Sequence, residues 1–174
     1  DHMVNDHPGY NPENLAYVYI GAVDSTGRAK LIEETQRLPE VDAITTCYNL
    51  PFWGASGNNV YLPGDDRELF NIADLYDVGN DYLNVLEIPI VEGQYFTENT
   101  TSSQEILVSR DFIEYMKPFA DWKDGAVGKT VQITGHDTKS ESMPLFTIRG
   151  VFENFRLGSI AAEDPRAKIM FYTK

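Results

Sequence analysis

The sequence predicts an α+β fold, on three observations. Hydrophobic residues make up 42% of the 174-residue chain and aromatics 12%, enough to bury a core. Short runs rich in Val, Ile, Tyr and Phe recur along it and read as strands. Helical spacing of apolar residues is confined to a few stretches between them, and short strands mixed with few helices define the α+β class.

In order, residues 4–14 hold two prolines, a glycine and three asparagines and read as an extended lead-in. Leu15–Val23 reads as a strand. Asp24, Ser25 and Thr26 offer caps for a helix whose Leu31, Ile32, Thr35 and Leu38 share a face. Pro39 stops that helix, because the residue before a proline is pushed out of helical angles. Val41–Tyr48 returns as a strand, so the chain opens as β-α-β. Residues 49–66, punctuated by Pro51, Gly54, Gly57, Pro63 and Gly64, read as a loop around a short strand at Asn59–Leu62. Phe70–Val78 follows as a strand, Asp81–Leu86 as a turn or two of helix, and Ile88–Val91 as a strand turned by Glu92-Gly93. Ile106–Val108 is a strand, and Ser109 caps a helix with Phe112, Ile113 and Met116 inside and Pro118 at its limit. Thr130–Thr134, Leu145–Phe152 and Lys168–Tyr172 are the remaining strands, with a polar hairpin tip over 135–142.

The net charge of −13 argues against nucleic acid and anionic lipid as partners, since both carry negative charge. The single cysteine, Cys47, excludes an internal disulfide and a multi-cysteine zinc site, and reads as a small core residue rather than a nucleophile. No run approaches the ~18 apolar residues of a membrane helix. Asp1-His2-Met3 reads as an expression-vector remnant on an excised fragment. The apolar content and the scattered ligand types together predict a soluble monomer that folds without metal.

Several motifs invite chemistry and fail its grammar. Gly128-Lys129-Thr130 lacks the upstream glycine of a phosphate loop, because Lys123 stands there, and it runs into a strand instead of a helix. Gly54-Ala55-Ser56-Gly57 places its second glycine one position early for a nucleophile elbow. His2, His7 and His136 have no metal spacing, and Asp74, Asp77 and Asp81 near Asn80 lack the alternation and the sixth-position glycine of a calcium loop. Asn99-Thr100-Thr101 matches a glycosylation acceptor of low specificity. No nucleophile, base and oxyanion donors assemble from these pieces, so no catalytic residue, cofactor or metal is assigned. Pro51, Phe52, Trp53 and Gly54 remain as a candidate partner contact, because adjacent aromatics in a Gly/Pro loop suit an interface. The competing reading is that the two rings cover the edge of the core.

The order of these pieces resembles the MacB-like periplasmic core domain of FtsX-like ABC transporter permeases. Leu38-Pro39-Glu40-Val41, then Asn49-Leu50-Pro51, resembles its opening. Asp81-Tyr82-Leu83, Leu86-Glu87-Ile88 and Val91-Glu92-Gly93-Gln94-Tyr95-Phe96 resemble "D-Y-F … L-G-I … L-x-E-G-R-x-F", with Glu87 in place of Gly and Gln94 in place of Arg. Ile106-Leu107-Val108-Ser109 resembles "I-V-V-N", with Ser109 in place of Asn. Ala126-Val127-Gly128-Lys129 resembles "A-I-G-K" and accounts for the false phosphate loop. Ile148-Arg149-Gly150-Val151-Phe152-Glu153-Asn154-Phe155 resembles "I-V-G-V-V-x-D-F", followed by Ser159-Ile160. The likeness runs from about Tyr10 to the end.

The resemblance implies two lobes: a porter-like lobe from 15–62 and 145–174, a sabre-like lobe of short strands and helices inserted as 63–144, and a juxtamembrane lead-in over 1–14. It implies a domain between two membrane helices on the periplasmic side of the inner membrane. There it transmits motion from a cytoplasmic ABC ATPase, beside the permease's own membrane helices, a second permease copy and a periplasmic adaptor. It also implies that Leu15 and Lys174 lie on one side of the fold. The alternatives are a periplasmic ligand-binding or adhesive domain, favoured by a large cleft, and a hydrolase using Asp or Ser, favoured by perturbed carboxylates in a pocket.

Overall fold

The computed structural model describes residues 7–51, 56–65, 67, 69–134, 144–156 and 166–174. The elements run α1 (Ser25–Gln36), β1 (Ser56–Tyr61), β2 (Phe70–Val78), α2 (Tyr82–Val85), β3 (Ile90–Gly93), β4 (Glu105–Ser109), α3 (Arg110–Met116), β5 (Thr130–Ile133), β6 (Leu145–Phe152) and β7 (Ala167–Tyr172). The mixture is α+β, as the sequence predicts.

The strands form one sheet in the order β3-β6-β4-β7-β2-β1-β5, and β5 also pairs with β6. The six strands from β6 round to β5 therefore close on themselves as a barrel, leaving β3 as a flap on β6. Closure removes the open edges that would otherwise invite pairing with other chains. β2 and β7 run parallel, as do β4 and β6, and the other pairs are antiparallel. β1, β6 and β7, from the segments assigned by sequence to one lobe, share this sheet with β2 to β5, from the segment assigned to the other.

Alternation along the strands divides the core in two. Ile106 and Val108 of β4, Ala167, Ile169 and Phe171 of β7, Val131 and Ile133 of β5, and Phe146 and Ile148 of β6 point inward, and α3 adds Phe112 and Met116 to this cluster. Leu107, Met170, Tyr76 and Phe152 point outward to a second, aromatic cluster, which takes in Tyr10, Tyr82, Leu83, Leu86, Phe96 and Phe155. Ring pairs Tyr76–Phe155 (5.5 Å, edge-on) and Phe96–Tyr172 (5.4 Å, stacked) lie within or against it. Leu15 and Tyr172 both pack against this outer cluster. The lead-in and the end of the last strand therefore share one side of the barrel.

The opening β-α-β pattern departs from expectation. α1 forms, capped by Asp24, whose Oδ1 accepts from the Gly27 amide at 2.7 Å, and it ends before Pro39. No strand forms over 15–23 or 41–48. The one pairing there is an isolated antiparallel bridge between Cys47 and Val78. The reason lies in β2: β7 flanks it along 73–78, and β1 takes its other side only as far as Leu75. Only the last three residues of β2, Tyr76–Val78, are left without β1, room for one bridge at Val78 and the flanking bonds of residues 46–49.

Candidate functional site

The segment leading to the proposed contact loop is clamped on the aromatic side of the barrel. The Asn49 side-chain oxygen accepts from the Asp77 amide at 3.2 Å, and the Asn49 carbonyl accepts from the Tyr82 hydroxyl at 3.0 Å. The Tyr48 amide donates to Asp77 O at 3.0 Å, and the Gly79 amide donates to Thr46 O at 2.7 Å. Pro51 is buried at the end of this clamp. Phe52, Trp53 and Gly54 lie outside the described residues.

The phenols and the thiol on this side of the barrel stay protonated at neutral pH. Burial pushes the Tyr82 and Tyr95 phenols well above their ordinary range. Burial also lifts the Cys47 thiol to about 11, against a smaller opposing effect of a backbone hydrogen bond from Asn49. The Tyr95 hydroxyl donates to Gly79 O at 2.6 Å and accepts from the Tyr82 amide at 3.2 Å, so the phenols serve as hydrogen-bonded struts.

Beyond the clamp, residues 15–48 carry the largest exposures of apolar side chains in the described structure. Val18 is 76% exposed, Tyr19 80% and Tyr48 72%, and α1 buries no residue. This surface was not among the sequence-based candidates. Its signal was the unbroken run Tyr17-Val18-Tyr19-Ile20, apolar on both faces of an extended chain.

The remaining motifs resolve individually. Gly128 takes φ +86° and opens β5, while Lys129 Nζ pairs with Asp124 at 3.2 Å. Asp74 is buried and ion-paired with Arg166 at 2.9 Å; Asp77 is half-buried by the clamp; Asp81 begins α2 at φ +62°, exposed. The first two lie three apart on a strand and so face opposite sides. Among the described residues no three His, Cys, Asp or Glu side chains are placed to hold a metal. Asn99–Thr101 sit in an exposed turn, and His7 Nδ1 accepts from the Gly9 amide.

The runs that carry the family likeness meet in space. Glu92 of Val91–Phe96 reaches the Ala126-Val127 backbone, the Gly128 amide donates to Ile148 O at 2.8 Å, and Gly93 lies opposite Gly150 on β6. They form a structural joint rather than a pocket.

The barrel carries a partly exposed structural joint and an exposed apolar arm. The family model for the MacB-like periplasmic core domain matches residues 2–171, and the chain belongs to that family. It is thus the periplasmic domain of an ABC transporter permease of the MacB/FtsX-like kind, on the outer side of the cytoplasmic membrane. No helix among the described residues is long and apolar enough to cross a membrane.

The fold is similar to the periplasmic region of MacB from Actinobacillus actinomycetemcomitans, with a TM-score of 0.53, 15% identity, and coverage of 83% of this chain and 54% of that one. It is also similar to the extracellular domain of the ABC-type transporter YknZ from Gram-positive bacteria, with a TM-score of 0.51, 11% identity, and coverage of 99% and 67%. A domain of a putative permease from Porphyromonas gingivalis aligns at a TM-score of 0.48 and 17% identity over 80% and 54%. The chain thus spans about half the length of the MacB region it matches. No curated protein matches its sequence.

Proposed function

We propose that the chain works as a coupling and contact element of its permease: it passes ATPase-driven motion to the periplasmic side and touches substrate or partner proteins there, without chemistry of its own. The observation that carries this reading is the shared side of entry and exit. Leu15 and Tyr172 pack against one aromatic cluster, so a barrel inserted between two membrane helices would be held from one side. A domain held this way is displaced as a body when its two attachments move. The driving ATPase, fused or separate, a second permease copy and a periplasmic adaptor complete the assembly in this proposal. The loop at Pro51, Phe52, Trp53 and Gly54 is the proposed contact, following in sequence the clamped Asn49.

The test uses the whole permease with its ATPase in membranes. Replacing Phe52 and Trp53 together by Ala lowers transport several-fold while basal ATP hydrolysis and folding persist. Undiminished transport removes the loop from the proposal. Saturable hydrolysis or micromolar nucleotide binding by the chain alone overturns the reading as a whole.

A further inference from the structure

We infer that residues 8–11 form a strap latched to the barrel by Glu87, and that motion of the polypeptide before Pro8 reaches the barrel through it. The latch does not depend on the coupling role proposed above; the motion it carries rests on that role.

The strap is seated along its whole length. The Arg156 amide donates to Pro8 O at 2.8 Å, and the Asn11 amide donates to Leu86 O at 2.9 Å. Between these two bonds Tyr10 is buried in the outer aromatic cluster. Gly9 makes that insertion possible. It takes φ +87°, and a Cβ there would lie 2.4 Å from Asn154 O and 2.6 Å from Phe155 Cα, both backbone atoms. Only a residue without a side chain lets two backbones approach this closely.

The latch is marked by a backbone cost. α2 ends in a Schellman turn: the Ile88 amide donates to Leu83 O at 2.8 Å and the Glu87 amide to Asn84 O at 3.1 Å. The residue after the cap of such a turn takes left-handed angles and is ordinarily glycine. Here it is Glu87, exposed and at φ +56°. Its carboxylate accepts from Asn11 Nδ2 at 2.7 Å, while the carbonyl just before it, Leu86 O, accepts from the Asn11 amide. Two successive residues of the turn thus grip one asparagine. Asn11 Oδ1 in turn accepts from the Glu13 amide at 2.9 Å, which keeps Nδ2 directed at Glu87. A left-handed residue other than glycine persists where its surroundings over-determine it, and such residues cluster at clamps and switches. Fastening Asn11 is the work that Glu87 does and glycine would not.

The seat decides where a pull is felt. Leu86 and Glu87 lie just before β3, and 154–156 lie just after β6. β3 and β6 are paired, Ile90 against Phe152, and the Glu153 amide donates to Pro89 O at 2.9 Å where the two chains leave the ladder. The strap therefore bridges both chains at one end of the β3–β6 ladder. A displacement of the polypeptide before Pro8 falls on that end of the barrel before it can reach residues 15–48. Tyr10 is buried, whereas Glu87 is exposed and Asn11 half-buried, so the latch bond competes with water and is the end of the strap that opens first.

Hydrogen exchange read by mass spectrometry on the full-length permease, alongside its transport, tests this. In the native protein the Asn11 amide is expected to exchange at least 100-fold slower than free-chain rates. Asn11→Asp sets a second carboxylate against Glu87, and Glu87→Gly relaxes the backbone while removing the acceptor. Each is expected to speed exchange at Asn11 and Glu13 at least 10-fold and to leave β4 and β6 unchanged. Each is also expected to lower transport several-fold with basal ATP hydrolysis intact. Glu87→Gln keeps an acceptor for Asn11 Nδ2 and is expected to restore slow exchange and transport together. Gly9→Ala is expected to extend the fast exchange to the Arg156 amide. Three results overturn the inference. One is an Asn11 amide at free-chain rates in the native protein. The second is unchanged exchange in Glu87→Gly, which leaves the turn without a latch. The third is fast exchange in Asn11→Asp and Glu87→Gly with undiminished transport, which leaves the strap carrying no motion. Failure of the coupling role itself is read separately, from hydrolysis or nucleotide binding by the chain alone, and does not alter the exchange result.

Discussion

The carboxylate of Glu92 caps the backbone at Ala126: its Oε1 accepts from the Ala126 amide at 2.8 Å and from the Val127 amide at 2.9 Å. One charged oxygen thereby fixes the loop before β5 to β3, two elements more than 30 residues apart in sequence. The same loop is held from the other side by the Gly128 amide on Ile148 O.

Glu92→Ala removes both bonds and leaves two amides to find water. Hydrogen bonds to charged groups contribute about 1.5–3 kcal/mol each in isolation, and two sharing one oxygen contribute less than their sum. A loss of about 2–3 kcal/mol in urea unfolding is the expected result. Glu92→Gln keeps an acceptor without the charge and is expected to recover about half of that loss. Equal stability in all three proteins would show that the loop holds itself.

Two glycines with similar backbone angles should respond differently to alanine. Gly93 has φ +71°, and a Cβ there would lie 2.3 Å from the Arg149 carbonyl oxygen and 2.9 Å from Gly150 Cα, both backbone atoms. Gly128 has φ +86°, with nothing within 4 Å of the added carbon. Gly128→Ala therefore carries only the left-handed cost of about 1–2 kcal/mol. Gly93→Ala adds separation of β3 from β6 and is expected to abolish cooperative unfolding or lower the Tm by more than 10 °C, about twice the shift at Gly128. Circular dichroism melts distinguish the two.

The fold was legible where a segment carries its own signal. β2, β4, α3, β6 and β7 fall close to where apolar patterning and the helix limits at Ser109 and Pro118 put them, but the Ser109 hydroxyl caps no amide of α3 and instead accepts from the Lys168 amide at 2.8 Å. Partner choice was not legible: closure through β5 and β6 joins Val131 to Phe146, and β2 meets β7 from Ala73–Ala167 to Val78–Tyr172, pairings that no local pattern encodes. β3 begins at Ile90 because Ile88 is spent on the outer cluster. The strands expected at 15–23 and 41–48 show the converse, since strand composition without a neighbour yields no ladder. At the proposed contact loop the sequence supplied aromatic residue types, and the structure adds the Asn49 clamp just before Pro51. The role of Glu92 carried no signal beyond the Glu-Gly pair that read as a turn.

The thiol of Cys47 predicts a pH dependence. Its pKa is about 11 in the folded chain against an ordinary 9.0, chiefly through burial. The folded state therefore holds the proton more tightly than the unfolded state. The stability this contributes is fully present below pH 9 and is lost as the pH rises through about 11. Alkylation by iodoacetamide follows the thiolate, so its rate in the native chain is expected to climb with a midpoint near 11, and near 9 in denaturant. A native midpoint at 9 would place the thiol in water, detached from Val78.

Arg149 offers the sharpest separation of charge from shape. It is passed over in the register of β4 against β6, where Ile106 faces Ile148 and Leu107 faces Gly150, so its backbone bulges and its side chain is free to turn along the sheet. There its Nε donates to Tyr95 O at 2.9 Å and its terminal nitrogen to Glu105 at 3.1 Å, with the two side chains 14% and 23% exposed. One guanidinium thus holds the end of β3 and the start of β4 at once. Arg149→Met keeps much of the volume and removes both donors, leaving Glu105 without its cation and held by the Ser102 amide at 2.6 Å. The expected loss is about 2 kcal/mol in urea unfolding. Arg149→Lys is expected to behave nearly as badly, because a single ammonium cannot present two donors in a fixed fork. The double-mutant cycle with Glu105→Gln isolates the ion pair, and a coupling of about 1 kcal/mol, shrinking in 1 M salt, is the expected value for a half-buried pair. A full-strength Arg149→Lys protein with zero coupling would mean that the bulge, and not the charge, fixes this joint.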